Sequence, residues 1–282
     1  MIKKALKLMI RAATVCGLAA FLIFIWYSLE TDSPGEEATA VFAGTNNDAD
    51  STILFSKGKC VVIDTGEAED EKHIREILNK HGVEKIDCMI LTHPDKDHVG
   101  GAFSLLDEFS VSQVLVPYFI GEKEAYQQFQ EKANRLQIPV QTLSRDRQYI
   151  FGEWDLRVFP PEKFYYDKTN DYSLAVLAKH GENHIFIAGD AQNQRLEELL
   201  QIDFPPVDIY KVAHHGRDSK AGVKMIEKLH PEYAVVTARE PEKKIRTALD
   251  AAEAQTFCTV KKDLTFVSDG KELHPRINDI NE

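Results

Sequence analysis

The sequence predicts an α/β fold, a single domain of alternating strands and helices, preceded by a single N-terminal transmembrane helix. Three observations carry this. Of 282 residues, 43% are hydrophobic and 28% charged, which suits a chain that folds around a core and excludes collagen-like or low-complexity classes. From residue 39 onward, short apolar runs alternate with segments of helical period, the pattern of helices packed on sheets. Residues 12–29 (AATVCGLAAFLIFIWYSL) hold no charge over 18 positions, enough to cross a bilayer as a slightly short helix.

The first element is the apolar run. Lys3, Lys4, Lys7 and Arg11 precede it, and Glu30, Asp32, Glu36 and Glu37 follow it. The positive-inside rule then leaves the amino terminus in the cytoplasm and the remainder outside the cell membrane. Trp26 and Tyr27 stand where an outer aromatic belt would be. A cleaved signal peptide shares the basic start and apolar core and would give a secreted protein. No small-x-small cleavage site follows the run, so an uncleaved single-pass anchor over residues 1–29 is the expectation. Val15 before Cys16 argues against a lipoprotein signal. Residues 30–38 (ETDSPGEEA) read as a linker.

The domain at 39–282 opens with β-type runs, AVFAG, TILFS and CVVID, the last two joined by a turn at Gly58. Glu69–His81 places Ile74, Ile77 and Leu78 on one helical face, with Gly82 as its C-cap. IDCMIL is continuously apolar, as a strand buried on both faces is. Ala102–Phe109 follows as a short helix, VLVPY as a strand, and Glu122–Leu136 as a helix with Ala125, Phe129 and Ala133 inward. PVQTL, DLRVF, SLAVLA and HIFIAG are strands. Arg195–Leu200, Lys220–His230 and Glu242–Ala254 are helices, set apart by strands at VDIYKV and YAVVTA. FCTV and LTFVSDG close the chain as a hairpin.

The net charge is −11, and the first 29 residues contribute only cations, so the rest is more acidic still. Such a surface argues against broad electrostatic capture of nucleic acid, though not against a cleft that holds phosphate through metal ions. The four cysteines form no CxxC pair, and Cys60 and Cys88 read as small buried hydrophobes.

Chemistry concentrates at three strand ends. LTHPDKDHVGG follows IDCMIL directly and offers His93, Asp95, Asp97 and His98 within six positions. Imidazole with carboxylate suits zinc, manganese or iron, and carboxyl ends of strands are where open α/β sheets place ligands. HIFIAGD puts Asp190 at a second strand end, and VDIYKVAHHG puts His214 and His215 at a third. An Asp after a strand is commonly a cap and a lone His is commonly structural. Three such ends in one domain instead imply a polar cleft able to gather two ions bridged by Asp190.

THPDKDHVGG, AGD and KVAHHG together resemble the metallo-β-lactamase superfamily, and more specifically the metallo-hydrolase domain of ComEC competence proteins, with HPDxDHxGG and KxxHHG. VVIDTG with Asp64, the Asn170–Leu174 stretch and SDGK at Ser268–Lys271 fit the same group, and the resemblance covers residues 39–275. The family's VGQGD element appears as AGTNNDADS, with Asp50 a loose counterpart. Glu240 stands where the group has a histidine, and a carboxylate there repels a phosphate unless it ligates metal or orients water.

The resemblance implies an αββα sandwich with a metal cleft along one edge, and two divalent ions, Zn or Mn. His93 and Asp95, with Asp190, would hold one ion; Asp97, His98, Asp190 and one of His214 and His215 would hold the other. Catalytic work falls to Asp97, His98 and Asp190, Asp97 orienting the attacking water. Asp95 in place of a histidine shifts preference from zinc towards manganese. Asn170, Ser173, Lys211, Arg217 and Glu240 are candidate substrate contacts; Lys211 and Arg217 read equally as ordinary surface charges. The implied activity is metal-assisted hydrolysis of a phosphodiester, DNA included, within DNA-uptake machinery. The alternatives are a cell-surface hydrolase of another ester or phosphoester, and a metal-binding pseudoenzyme that serves as a binding module.

Overall fold

A computed structural model describes residues 37–46 and 48–276. The anchor expected at 12–29 and most of the linker lie outside the described residues. No helix among those described is long and apolar enough to cross a membrane.

The strands are β1 (Ala38–Phe42), β2 (Thr52–Ser56), β3 (Lys59–Ile63), β4 (Lys85–Ile86), β5 (Cys88–Ile90), β6 (Ser110–Val111), β7 (Val114–Pro117), β8 (Val140–Leu143) and β9 (Arg147–Phe151). They continue as β10 (Trp154–Phe159), β11 (Ala175–His180), β12 (Asn183–Ile187), β13 (Ile209–Lys211), β14 (Tyr233–Val236), β15 (Gln255–Cys258), β16 (Leu264–Ser268) and β17 (Leu273–Arg276). The helices are α1 (Glu71–Lys80), α2 (Lys96–Val99), α3 (Ala102–Glu108), α4 (Glu124–Arg135), α5 (Asn193–Leu199), α6 (Lys220–Leu229) and α7 (Lys243–Ala251).

Two sheets face each other. The first runs β17-β16-β1-β2-β3-β5-β7-β8 and the second β15-β14-β13-β12-β11-β10-β9. Strand alternation explains the layering. In β3, Val61 and Ile63 point between the sheets, where they meet Leu156, Val176 and Ile185. Cys60 and Val62 point the other way, to Ile74 of α1, Leu105 of α3 and Phe129 of α4. In β13, Ile209 faces the inner core and Tyr210 the outer one, under Met225 of α6 and Leu249 of α7. Strands buried on both faces must read as continuous apolar runs, as KCVVI and CMI do. The layers are therefore helix, sheet, sheet, helix. Cys60 and Cys88 are buried among apolar side chains, and burial pushes both thiols up.

What positions the site is a shared polarity. β3, β5, β7 and β8 are mutually parallel, and so are β12, β13, β14 and β15. The loops leaving the carboxyl ends of β3, β5, β12, β13 and β14 carry the residues that meet in the cleft described below.

One expectation is corrected. FCTV and LTFVSDG are not a hairpin: β15 adds in parallel to β14, while β16 pairs with β1 and β17 in the other sheet. A strand that follows helix α7 completes a βαβ crossover and so joins its predecessor in parallel. The chain then changes sheets, and the closing hairpin is β16–β17. Strand β9 and helix α2 were also not expected: RQYIF is exposed along most of its length, and α2 is a single turn inside the HPDKDH loop.

Candidate metal centre

Asp64 leaves β3, His93 to His98 leave β5, Asp190 leaves β12, and His214 and His215 leave β13. Close backbone approach brings them together. Thr65 N donates to His98 O at 2.7 Å, and a Cβ on Gly101 would lie 2.3 Å from Thr65 O, so only glycine fits where the two loops touch. Gly189 has φ +52°, and a Cβ there would come within 2.7 Å of Thr92 Oγ1. This glycine lets the turn bearing Asp190 close on the β5 loop.

Asp190 is the hub. Its Oδ1 is 3.2 Å from His98 Nε2, and its Oδ2 is 3.1 Å from His215 Nε2 and 4.0 Å from both His93 Nε2 and His214 Nε2. Asp97 Oδ2 lies 3.4 Å from His215 Nε2 and 3.8 Å from His98 Nε2. Asp95 Oδ2 is 3.6 Å from His93 Nε2, on the other side of the hub. The Nε2 atoms of His93, His98 and His215 and Asp190 Oδ1 are all buried with no hydrogen-bond partner. Orphaned buried nitrogens that converge on carboxylate oxygens are costly unless something binds them. The donor chemistry therefore fits divalent metal. Asp97, His98, Asp190 and His215 form one set with all donor atoms within 4.8 Å of one another. His93 Nε2, with Asp95 Oδ2 at 3.6 Å and Asp190 Oδ2 at 4.0 Å, forms a sparser second set.

A second layer orients these donors. His98 Nδ1 donates to Asp64 Oδ2 at 2.8 Å, which leaves Nε2 free as a ligand. Thr92 donates twice to Asp64, from N and from Oγ1, each at 2.7 Å. His215 Nδ1 lies 3.0 Å from Thr237 Oγ1 and 3.2 Å from Asp50 Oδ1. Asp50 is itself ion-paired with the buried Lys211 ammonium. On the exposed flank, Lys123 Nζ is 2.7 Å from Asp95 Oδ1.

Electrostatics follow from this crowding. Burial alone would raise Asp190, but the charges of His215 and His98 outweigh it and hold the carboxyl well below the usual range. Burial would likewise depress His98 and His215, and the facing Asp190 reverses this, lifting both well above an ordinary imidazole. His93 goes the other way, pushed well down by burial and by the neighbouring His98. The histidines and the carboxylate thus hold one another in their charged forms.

His214 and His215 do not continue the strand. Both have left-handed backbone, φ 51° and 53°, and such strained residues persist only where the surroundings impose them. The kink turns His215 inward, while half-buried His214 stays at the rim with Gln192 Nε2 3.0 Å from its Nδ1. Asn170 donates to Asp190 Oδ2 at 3.2 Å. Ser173 is fully buried; its Oγ donates to Asn170 O and accepts from Asp190 N at 3.1 Å, so it holds the turn from beneath. Arg217 is exposed and 3.7 Å from Asp48 Oδ2, in a groove of 550 Å³ beside Asp97.

Of two further expected substrate contacts, one points elsewhere. Lys211 shares the inner face of β13 with Ile209, so it points between the sheets at Asp50 rather than into the cleft. Glu240 is exposed and 2.5 Å from Arg246 Nη2; it touches none of the gathered donors but lines the groove beside Asp97. Asp50, Lys123 and Thr237 join the site without having been singled out as ligand supports. Asp64 had a signal, since it ends KCVVID as the other donors end their strands. Asp50 sits in an irregular loop where only a loose match to the family's VGQGD element pointed to it, and Lys123 in one with no signal.

The structure resembles several solved ones in fold. The metallo-beta-lactamase fold protein YhfI from Bacillus subtilis matches with TM-score 0.54 and 11% identity, over 86% of this chain and all of that one. CmlA, a diiron beta-hydroxylase from Streptomyces venezuelae, matches with TM-score 0.55 and 14% identity, over 83% of this chain and 54% of that one. In sequence, the chain is 24% identical over 254 residues to ComE operon protein 3 of Bacillus subtilis, covering 84% of this chain and 32% of the relative. It is 22% identical over 193 residues to Recombination protein 2 of Haemophilus influenzae, covering 67% of this chain and 23% of the relative. The chain thus spans a third or less of those curated relatives. The family model of the metallo-beta-lactamase superfamily matches residues 44–238, more than half of the chain and all of the gathered donors. With that match and the convergent donor set, the chain belongs to the metallo-beta-lactamase superfamily of metal-dependent hydrolases.

Proposed function

We propose that this hydrolase cleaves phosphodiester bonds, with a nucleic acid strand as substrate, at the outer face of a membrane to which residues 12–29 tether it. The observation that carries the reading is the geometry around Asp97. Two grooves, of 550 and 520 Å³, meet at Lys96 and Asp97. One is lined by Arg217 and Arg239 beside Asp48, Glu67 and Glu240, and the other by Lys123 beside Asp95 and Glu124, so each groove offers at least one cation to an extended anion lying across Asp97. Similarity to a recombination protein supports nucleic acid as that anion.

Two divalent ions held by these donors would make a water between them acidic and neutralise charge on the phosphoryl oxygens. The chain's own residues supply orientation. Asp97, half-exposed beside both grooves, is placed to accept a proton from the attacking water. Asn170 presents its amide at the rim. His214, at the cleft edge 4.0 Å from Asp190 Oδ2, would be placed to protonate a leaving oxygen. Asp64, Asp50 and Thr237 keep the histidine tautomers fixed.

A smaller phosphoester is the second reading, favoured by one feature. Lys96, Arg217 and Lys123 are already ion-paired with Glu67, Asp48 and Asp95, which limits long-range attraction for a polyanion.

The test is hydrolysis by the full chain in detergent, loaded with Mn²⁺ or Zn²⁺, of single-stranded DNA, duplex DNA and bis-p-nitrophenyl phosphate. A His93→Ala, Asp97→Ala double variant is the control. DNA cleavage lost in the variant supports a tethered nuclease, and cleavage of the small ester alone supports the second reading. Two bound metals without any turnover would overturn phosphate chemistry.

A further inference from the structure

We infer that Tyr118, Phe164 and Tyr165 form a stacking platform for the unpaired bases of a single-stranded nucleic acid that flank the scissile bond. The occupant's identity rests on the phosphodiesterase reading; the surface itself does not. Phe164 and Tyr165 are 72% and 74% exposed and Tyr118 is 37% exposed, next to Ile120 at 74%. The Tyr118 and Phe164 rings meet edge to face at 5.3 Å. The Tyr118–Phe164 pair, with exposed Tyr165 next in the chain, makes an aromatic patch of the kind that marks contact sites.

The chain and its packing tie the patch to the metal cleft. Tyr118 follows β7, whose neighbour β5 delivers the donor loop, and Lys123 of the same stretch holds Asp95. Phe119, next to Tyr118, turns inward and packs at 5.1 Å against Tyr172. Tyr172 ends the turn Thr169–Tyr172, whose Asn170 contacts Asp190. The platform is also held firmly. Tyr166, adjoining Tyr165, is buried, with its hydroxyl donating to Glu198 Oε1 at 2.6 Å and its backbone N donating to the Tyr172 hydroxyl at 3.1 Å. Aromatic rings fixed in this way bind with little loss of rotamer freedom.

The chemistry selects the occupant. Lys163 and Lys168 are offset in the same loop by Glu162 and Asp167, so the rings rather than net charge must carry the contact. Every base has a face that stacks on an aromatic ring, but in a duplex those faces are already covered. Three rings and an isoleucine are too small an area for a stable second copy.

The test pairs binding with turnover, on the full chain in detergent loaded with Mn²⁺. Binding of a fluorescent phosphorothioate dT12, which resists cleavage, is read by anisotropy, and turnover by bis-p-nitrophenyl phosphate. The Phe164→Ala, Tyr165→Ala double variant should weaken dT12 binding about tenfold or more. It should leave duplex binding and kcat/KM on the small ester unchanged, while Phe164→Trp, Tyr165→Trp keeps dT12 affinity. Unchanged dT12 binding, or an equal loss for duplex, overturns the platform, as does loss of self-association in place of dT12 binding. Ring-dependent dT12 binding without any ester turnover would sink the phosphodiesterase reading and leave the platform standing.

Discussion

Asp64→Asn isolates one hydrogen bond of the centre. Asp64 Oδ2 takes the His98 Nδ1 proton at 2.8 Å and the Thr92 hydroxyl at 2.7 Å, while Oδ1 takes Thr92 N at 2.7 Å. An amide keeps a single acceptor. If its oxygen stays on Thr92 N, its NH2 faces His98 Nδ1, and the ring must shift its proton to Nε2, the atom that points at Asp190. The backbone tolerates the change, because Asp64 has φ 59° and asparagine visits that region readily. Loss of such an orienting carboxylate costs about 10–100-fold in metal affinity, or about 1.4–2.7 kcal/mol. Calorimetric titration of the chelated full chain with Mn²⁺ or Zn²⁺ reads this, and a melt in EDTA separates it from general unfolding. Affinity within about twofold of the parent, with the apo melt unchanged, would refute the claim that Asp64 sets the His98 tautomer.

Four further outcomes are expected. Lys211→Met strands the buried Asp50 carboxylate and costs about 3–5 kcal/mol, lowering Tm by about 10 °C in EDTA; a shift under about 2 °C would refute the pairing. Gly189→Ala puts a Cβ 2.7 Å from Thr92 Oγ1 at φ +52° and should cost both stability and metal affinity, read by the same two assays. Metal affinity should rise by about tenfold or more from pH 6 to 8, because Asp190 keeps His98 and His215 protonated and a ligand must shed its proton; a flat profile in titration calorimetry counts against this. His73 donates to Asp263 at 2.7 Å, its pKa raised by that bond and the Asp263 pKa lowered despite burial. The raised histidine stabilises below about pH 6.5 and the lowered acid above about pH 4. His73→Gln should therefore lower the unfolding free energy read by urea titration at pH 5.5 and not at pH 8.5, by under about 1 kcal/mol for so exposed a pair.

Much of the sandwich was legible because two-sided burial leaves a plain trace. CVVI, CMI and IY are apolar on consecutive positions, and each leads to a strand end that carries chemistry. The HPDKDH loop was legible for a related reason: its donors are local, so spacing alone reveals them. What crosses between distant segments was not. Nothing local tells that β15 and β16 part company into different sheets, since either could pair with the other. Lys211 shows the same limit. Beside HHG it reads as a free cation, and only the facing sheet reveals that its position on β13 aims it at Asp50, 161 residues earlier.

The two sheets meet over an apolar interior, yet at the edge where their parallel strands end, charge rather than hydrocarbon spans the gap. Asp50, Asp64 and His98 come from one side, and Asp190, Lys211 and His215 from the other. That edge is consequently a fastener as much as a workplace. Chelation would leave the clasp to its ion pairs alone without touching the hinge of core beneath it, so amides of Asp190–Gln192 and Ala213–Gly216 should lose exchange protection before either sheet's centre does. The occupancy of the cleft would then govern how long the two halves of the molecule stay shut.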